Sequence, residues 1–88
     1  MPNKEIKKEV EEIKEIMDEI IADTSVPRNI RRAIEEAKEK IAEIDAVNIG
    51  AAIYILDDIS ADINMPDHTR TEVWQLISML EAVKEKVK

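Results

Sequence analysis

Apolar residues between Asn3 and Ala22 fall at Ile6, Val10, Ile13, Met17 and Ile20, a strict 4-3-4-3 spacing that keeps one face of a helix dry. Ile16 and Ile21 widen the seam into the stripe that a helix in a globular bundle needs, and Asn3 is placed to cap the first turn. The pattern fails at Thr24-Ser25-Val26-Pro27, where proline disfavours a helical Val26 yet suits the first turn of a new helix. Ser25 or Val26 would cap that helix, Ser25 being chemically the better. The seam resumes at Ile30, Ile34, Ala37, Ile41 and Ile44, so a short turn joins two helices as an antiparallel hairpin.

Asp45-Ala-Val-Asn48 is a softer break, with Asn48 as the expected cap of a third helix running to about Ala61 and Gly50 inside its first turn. Ala51, Ala52, Ile53, Tyr54, Ile55, Leu56 and Ile59 leave that helix little polar face, so it is expected to be the most buried. Asn64 and Asp67 resemble a capping box at the start of a fourth helix. That helix is expected to pack Val73, Ile77, Leu80, Val83 or the stem of Lys84, and Val87, with Lys84, Lys86 and Lys88 at its cation-favouring end.

Residues 16–34 match residues 55–73 at an offset of 39, with seven identities in nineteen positions: Ile16/Ile55, Asp18/Asp57, Ile20/Ile59, Ala22/Ala61, Asp23/Asp62, Pro27/Pro66 and Arg31/Arg70. The chain thus reads as one all-α domain over 1–88, a four-helix bundle built from two duplicated antiparallel helical hairpins, about 3–45 and 47–88. A period of 39 is near that of helix-pair solenoids, but two units are few for a solenoid, which favours a closed bundle. The repeated Asp and Arg read first as turn structure, because duplicated residues beside duplicated prolines serve the turn they share.

The two halves differ where Lys14, Glu15, Glu35 and Lys38 are replaced by Ile53, Tyr54, Trp74 and Ile77. A charged face in one hairpin is apolar and aromatic in the other. Two readings follow: an asymmetric core that uses its two aromatics as filler, or a surface on which Tyr54, Trp74, Ile53 and Ile77 meet a second copy or another protein.

Composition narrows the function. With no Cys there is neither a disulfide staple nor thiolate chemistry, no run approaches a membrane span, and the amino end lacks the apolar centre of a signal peptide. A cytoplasmic setting is expected. The charge-rich, isoleucine-rich, glycine-poor composition is common among thermophile proteins. The net charge of −7 comes from residues 1–26, with four Lys against eight acids, and residues 47–65, with three Asp and no base. Such a balance argues against broad nucleic-acid binding.

No constellation for catalysis stands out. The sole histidine, His68, has no Cys or Glu-x-x-His partner for a transition metal, and one glycine cannot build a phosphate loop. Glu19, Asp23, Asp58 and Asp62 could hold a divalent ion if brought together, although acidic helix faces are ordinarily solvated. Arg28, Arg31 and Arg32, with His68 and Arg70, mark a candidate anion-binding or polar edge, the basis of an RNA- or ribosome-associated alternative. No cofactor or small-molecule substrate is inferred.

The passages Ala22-Asp-Thr-Ser-Val-Pro-Arg-Asn-Ile-Arg-Arg32, Ala52-Ile-Tyr-Ile-Leu-Asp-Asp-Ile-Ser60, Asn64-Met-Pro-Asp-His-Thr-Arg70 and Trp74-Gln-Leu-Ile-Ser78 resemble a family of short, uncharacterised archaeal proteins over roughly residues 20 to 81. The resemblance implies a compact helical bundle with no assigned activity, substrate or cofactor. The family's pattern places proline where Ile63 stands, which implies a less rigid second turn here. The expectation is a non-enzymatic interaction or assembly protein.

Overall fold

The seam of the first helix is buried in full, at Ile6, Val10, Ile13, Met17 and Ile20. The computed structural model describes residues 4–87 and contains four helices and, among those residues, no strand. They are α1 (Lys4–Ala22), α2 (Arg28–Lys40), α3 (Ala46–Ile59) and α4 (Asp67–Lys86). Each helix packs on its sequence neighbour and α1 packs on α4, while no Cα–Cα distance of 8 Å or less joins α1 to α3 or α2 to α4. The helices therefore close a ring around one core and do not stack as an open solenoid. Lys86, in the last turn of α4, closes it on the outside by bonding Glu5 at 3.0 Å and also Glu9. Those two bonds, Glu9's first, raise the Lys86 pKa.

Most buried positions in the second half are those of the first displaced by 39, at Val10/Ile49, Ile13/Ala52, Met17/Leu56, Val26/Met65, Ile34/Val73, Ala37/Leu76 and Ile41/Leu80, whereas Ile59 and Ile44 are only partly buried opposite Ile20 and Val83. Ile30 has a polar counterpart, the fully buried Thr69. This register corrects the expected α4 face. The seam is Thr69, Val73, Leu76, Leu80 and Val83, with Ile77 and Val87 only partly buried. A hydroxyl at the head of the seam disguises its frame.

Three expected caps are also corrected. Pro27 is the N-cap of α2, not a first-turn residue, and its carbonyl takes the amides of Ile30 and Arg31 at 3.1 Å. Ser25 bonds Asp23 instead, and Pro66 likewise displaces Asn64 at the head of α4. In α3 the cap is Asp45, which accepts from the Asn48 amide at 2.8 Å, while the Asn48 side chain donates back to the Asp45 carboxylate at 2.9 Å. That start is earlier than expected and leaves Gly50 at the fifth helical position. The expected Asn3 cap and the contribution of Lys88 lie outside the described residues.

Helix α3 has the smallest share of exposed residues of the four, as its apolar run implies. Only Ile49, Ala52 and Leu56 are fully buried, with Ile53, Ile55 and Ile59 packed around the core's edge. Tyr54 is 73% exposed and Trp74 56%, so neither aromatic is core filler.

Candidate functional site

The α1–α2 and α3–α4 turns lie at one end of the ring and are built alike. In the first, the Asp23 carboxylate accepts from the Ser25 hydroxyl at 2.6 Å and its amide at 2.9 Å. Arg31 donates through Nε to the Val26 carbonyl at 3.0 Å. In the second, Asp62 accepts from the Asn64 amide at 2.8 Å. Arg70 spreads its guanidinium over the carbonyls of Ser60, Asp62 and Met65, satisfying acceptors left open where α3 ends.

The turns are also tied to each other. Asn29 donates to Asp62 at 2.9 Å, and His68 Nε2 lies 3.5 Å from Asp23. Asn29 and His68 are 39 residues apart, so each hairpin reaches for the other's turn aspartate from the same place. The Ser25 hydroxyl and amide hold the Asp23 pKa below its ordinary value, with His68 adding to the effect. The Asn64 amide, then Asn29 and the charge of Arg70, do the same for Asp62.

These bonds dissolve the expected polar edge as a single site. Arg31, Arg70 and His68 serve the turns, while exposed Arg28 and Arg32 line a shallow concavity of about 290 Å³ with Arg31 and Glu35. His68 and Arg70 do not line it. The Glu19, Asp23, Asp58 and Asp62 set is not assembled either: among the described residues no three His, Cys, Asp or Glu form a group that could hold a metal ion.

The remaining candidate is on the long face of α3 and α4. Gly50, Ile53 and Asp57 recur at helical spacing along α3 and face Ile77, Glu81 and Lys84 of α4 across a groove of about 820 Å³, with Tyr54 on its rim. Trp74 is one turn before Ile77 on the same side of α4. The Lys84 ammonium lies over Gly50, 3.5 Å from where a Cβ would stand. The structure thus brings Ile53, Tyr54 and Ile77 together at one groove and leaves Trp74 beside it.

The first hairpin has the corresponding groove, about 490 Å³, lined by Lys14, Asp18, Ile21, Glu35, Lys38, Glu39 and Ala42. Here Lys38 crosses from α2 to Asp18 of α1 at 2.6 Å. In the second hairpin Asp57 keeps the place of Asp18, but Ile77 stands where Lys38 would be. Asp57, exposed, has no side-chain partner among the described residues. Comparison of the halves along the sequence finds the apolar face but not this unpaired carboxylate, because the missing bond joins residues twenty apart on different helices.

Known proteins give the chain its relatives. A family model described as "Uncharacterised protein family (UPF0147)" matches residues 1–83. A protein of this description from Archaeoglobus fulgidus is 51% identical over 79 residues, covering 88% of this chain and 91% of its own. One from Methanocaldococcus jannaschii is 56% identical over 72 residues, covering 78% and 77%. A crystal structure of a family protein from Thermoplasma acidophilum aligns with a TM-score of 0.81 at 29% identity, over 88% of this chain and 94% of that one. A second crystal structure, of a protein of unknown function, aligns with a TM-score of 0.78 at 45% identity, over 83% and 86%. This chain belongs to the archaeal, all-helical and uncharacterised protein family UPF0147, whose function is unknown.

Proposed function

We propose that the protein is a non-enzymatic interaction or assembly protein of the cytoplasm that works through the α3–α4 face. The observation that carries this reading is the exposure of Tyr54 and Trp74, the only aromatics of the chain, beside a groove with Ile53 and Ile77 in its walls. Aromatic side chains add large contact area at small entropic cost and are enriched where proteins meet. The first hairpin supplies an internal comparison, because its groove at the same register is charged and bridged by an ion pair. The paired core positions and matching turn bonds support a further element of the proposal: the chain is a duplicated hairpin in which one copy kept a solvated face and the other became the binding face. No described helix is long and apolar enough to cross a membrane.

The test is a photo-crosslinking residue placed at Tyr54 and, separately, at Glu15, its counterpart in the first hairpin, in cells that produce the protein. A discrete protein adduct is expected from position 54 and not from 15. Equal adducts from both positions, or none from either, would remove the reading. The RNA-associated alternative has less behind it, since Arg31 is committed to the Val26 carbonyl and only Arg28 and Arg32 remain.

A further inference from the structure

We infer that the α3–α4 groove receives a basic amphipathic helix of another protein, whose Lys or Arg pairs with Asp57 in the way that Lys38 pairs with Asp18 in the first hairpin. The inference rests on the interaction reading above and specifies the occupant. Its basis is the comparison of two grooves built on one register. In the first, the cation needed by the α1 carboxylate comes from α2, at 2.6 Å, and the ion pair spans the groove. In the second, the carboxylate is kept and the cation has become Ile77, so the groove has an apolar wall and an unmatched anion beside it. An apolar residue of the incoming helix would lie over Ile53 and Ile77 while its base, one turn away, reaches Asp57.

Charge disfavours the simplest rival, a two-fold pairing of identical grooves. The groove is lined by three acids, Asp57, Glu81 and Glu85, against one base, Lys84, and α3 carries no base at all. Two copies placed face to face would bring together an excess of two acids from each groove, since Lys84 of one copy can offset only one carboxylate of the other. A basic partner meets complementary potential over the same ground. Two helices lying side by side also form a trough suited to a third helix, with Ile53 and Ile77 among its lining residues.

The probe is a synthetic helical peptide of Leu and Lys, free of aromatic residues, compared with a twin in which every Lys is Glu. Binding is read from the fluorescence of Trp74, the sole tryptophan, with light scattering for mass. The Lys peptide is expected to bind one to one and the Glu twin not to bind. Asp57→Asn should weaken the Lys peptide roughly tenfold, the scale of one charge-assisted contact. Glu12→Gln, an equal charge change on α1, should leave it unaltered. Ile77→Lys recreates the first hairpin's ion pair within the groove and should abolish binding with helical content unchanged by circular dichroism.

If Asp57→Asn and Glu12→Gln behave alike, or the Glu twin binds as well as the Lys peptide, the occupant is wrong. The interaction face survives that outcome if Ile77→Lys still blocks the peptide. A doubling of mass without peptide that Ile77→Lys removes would assign the groove to a second copy and overturn the inference alone. If neither peptide binds and position 54 yields no adduct in cells, the inference and the interaction reading fall together.

Discussion

Replacing Thr69 by Val tests how the two halves share one core. Thr69 is fully buried, and its hydroxyl has no hydrogen-bond partner among the described residues. A buried hydroxyl without a partner costs about 1–3 kcal/mol relative to its hydrated state. Valine has nearly the same shape and exchanges that hydroxyl for a methyl, worth about 0.8 kcal/mol when buried. The counterpart position in α2 is Ile30, also fully buried, so an apolar β-branched side chain already fills this place in the other hairpin. Thr69→Val should therefore stabilise the protein by about 1–3 kcal/mol. For a domain of this size that raises Tm by roughly 4–8 °C for each kcal/mol. Urea unfolding followed at 222 nm should show a higher midpoint with unchanged slope, the sign that stability and not compactness has changed. Thr69→Ser keeps the hydroxyl, loses the methyl and should cost about 1 kcal/mol, separating polarity from packing. If Thr69→Val is destabilising by about 0.5 kcal/mol or more, the hydroxyl is satisfied in solution and the argument is refuted.

Gly50→Ala should stabilise by about 0.5–1 kcal/mol, because Gly50 is inside α3 and the new Cβ would meet only the end of Lys84 at ordinary contact distance; a thermal melt reads the gain. Arg70→Ala strips the carbonyls of Ser60, Asp62 and Met65 of their donor and should cost about 1–3 kcal/mol in urea, with Arg70→Lys restoring little, since one ammonium cannot span three acceptors. Asp23 and Asp62 have depressed pKa values, so the stability each contributes is fully present above the unfolded carboxylate pKa of about 3.9 and is lost as pH falls through the lower folded value. Acid unfolding of the Asp23→Asn, Asp62→Asn double variant should accordingly be shallower than that of the parent below about pH 4, and parallel curves would contradict the assignment.

The sequence is most legible where every seam position is apolar. In α1 the buried set is the one its spacing implies. It misleads in α4, where Thr69 hides the first seam residue and the adjacent Leu76 and Ile77 both fit an apolar stripe. The offset of 39 resolves that ambiguity, because Ala37 is buried and its counterpart is Leu76. In α3 the unbroken apolar stretch has no period to orient it, so the exposure of Tyr54 is signalled only by its charged counterpart Glu15 in the first half. Cap residues are misread for a different reason: with Pro27 and Pro66 in the cap position, their carbonyls open the helices and the turn aspartates claim Ser25 and Asn64. The proposed interaction face is foreshadowed by substitutions between the halves, whereas its polar half, the unpaired Asp57, depends on a bond between helices.

The ion pairs of Lys86 with Glu5 and Glu9 hold the last turn of α4 against the first turns of α1, which makes the polypeptide almost circular in space. The link between α2 and α3, residues 41–45, is at that same end of the ring. A permuted chain, opened in that link and with the last turn of α4 joined to the first turn of α1 by a short flexible spacer, would place α3–α4 before α1–α2 while keeping every helix contact. Such a molecule should fold to the same ring, with the order of synthesis of its hairpins reversed. Its sequence would begin with the aromatic face and end with the charged hairpin.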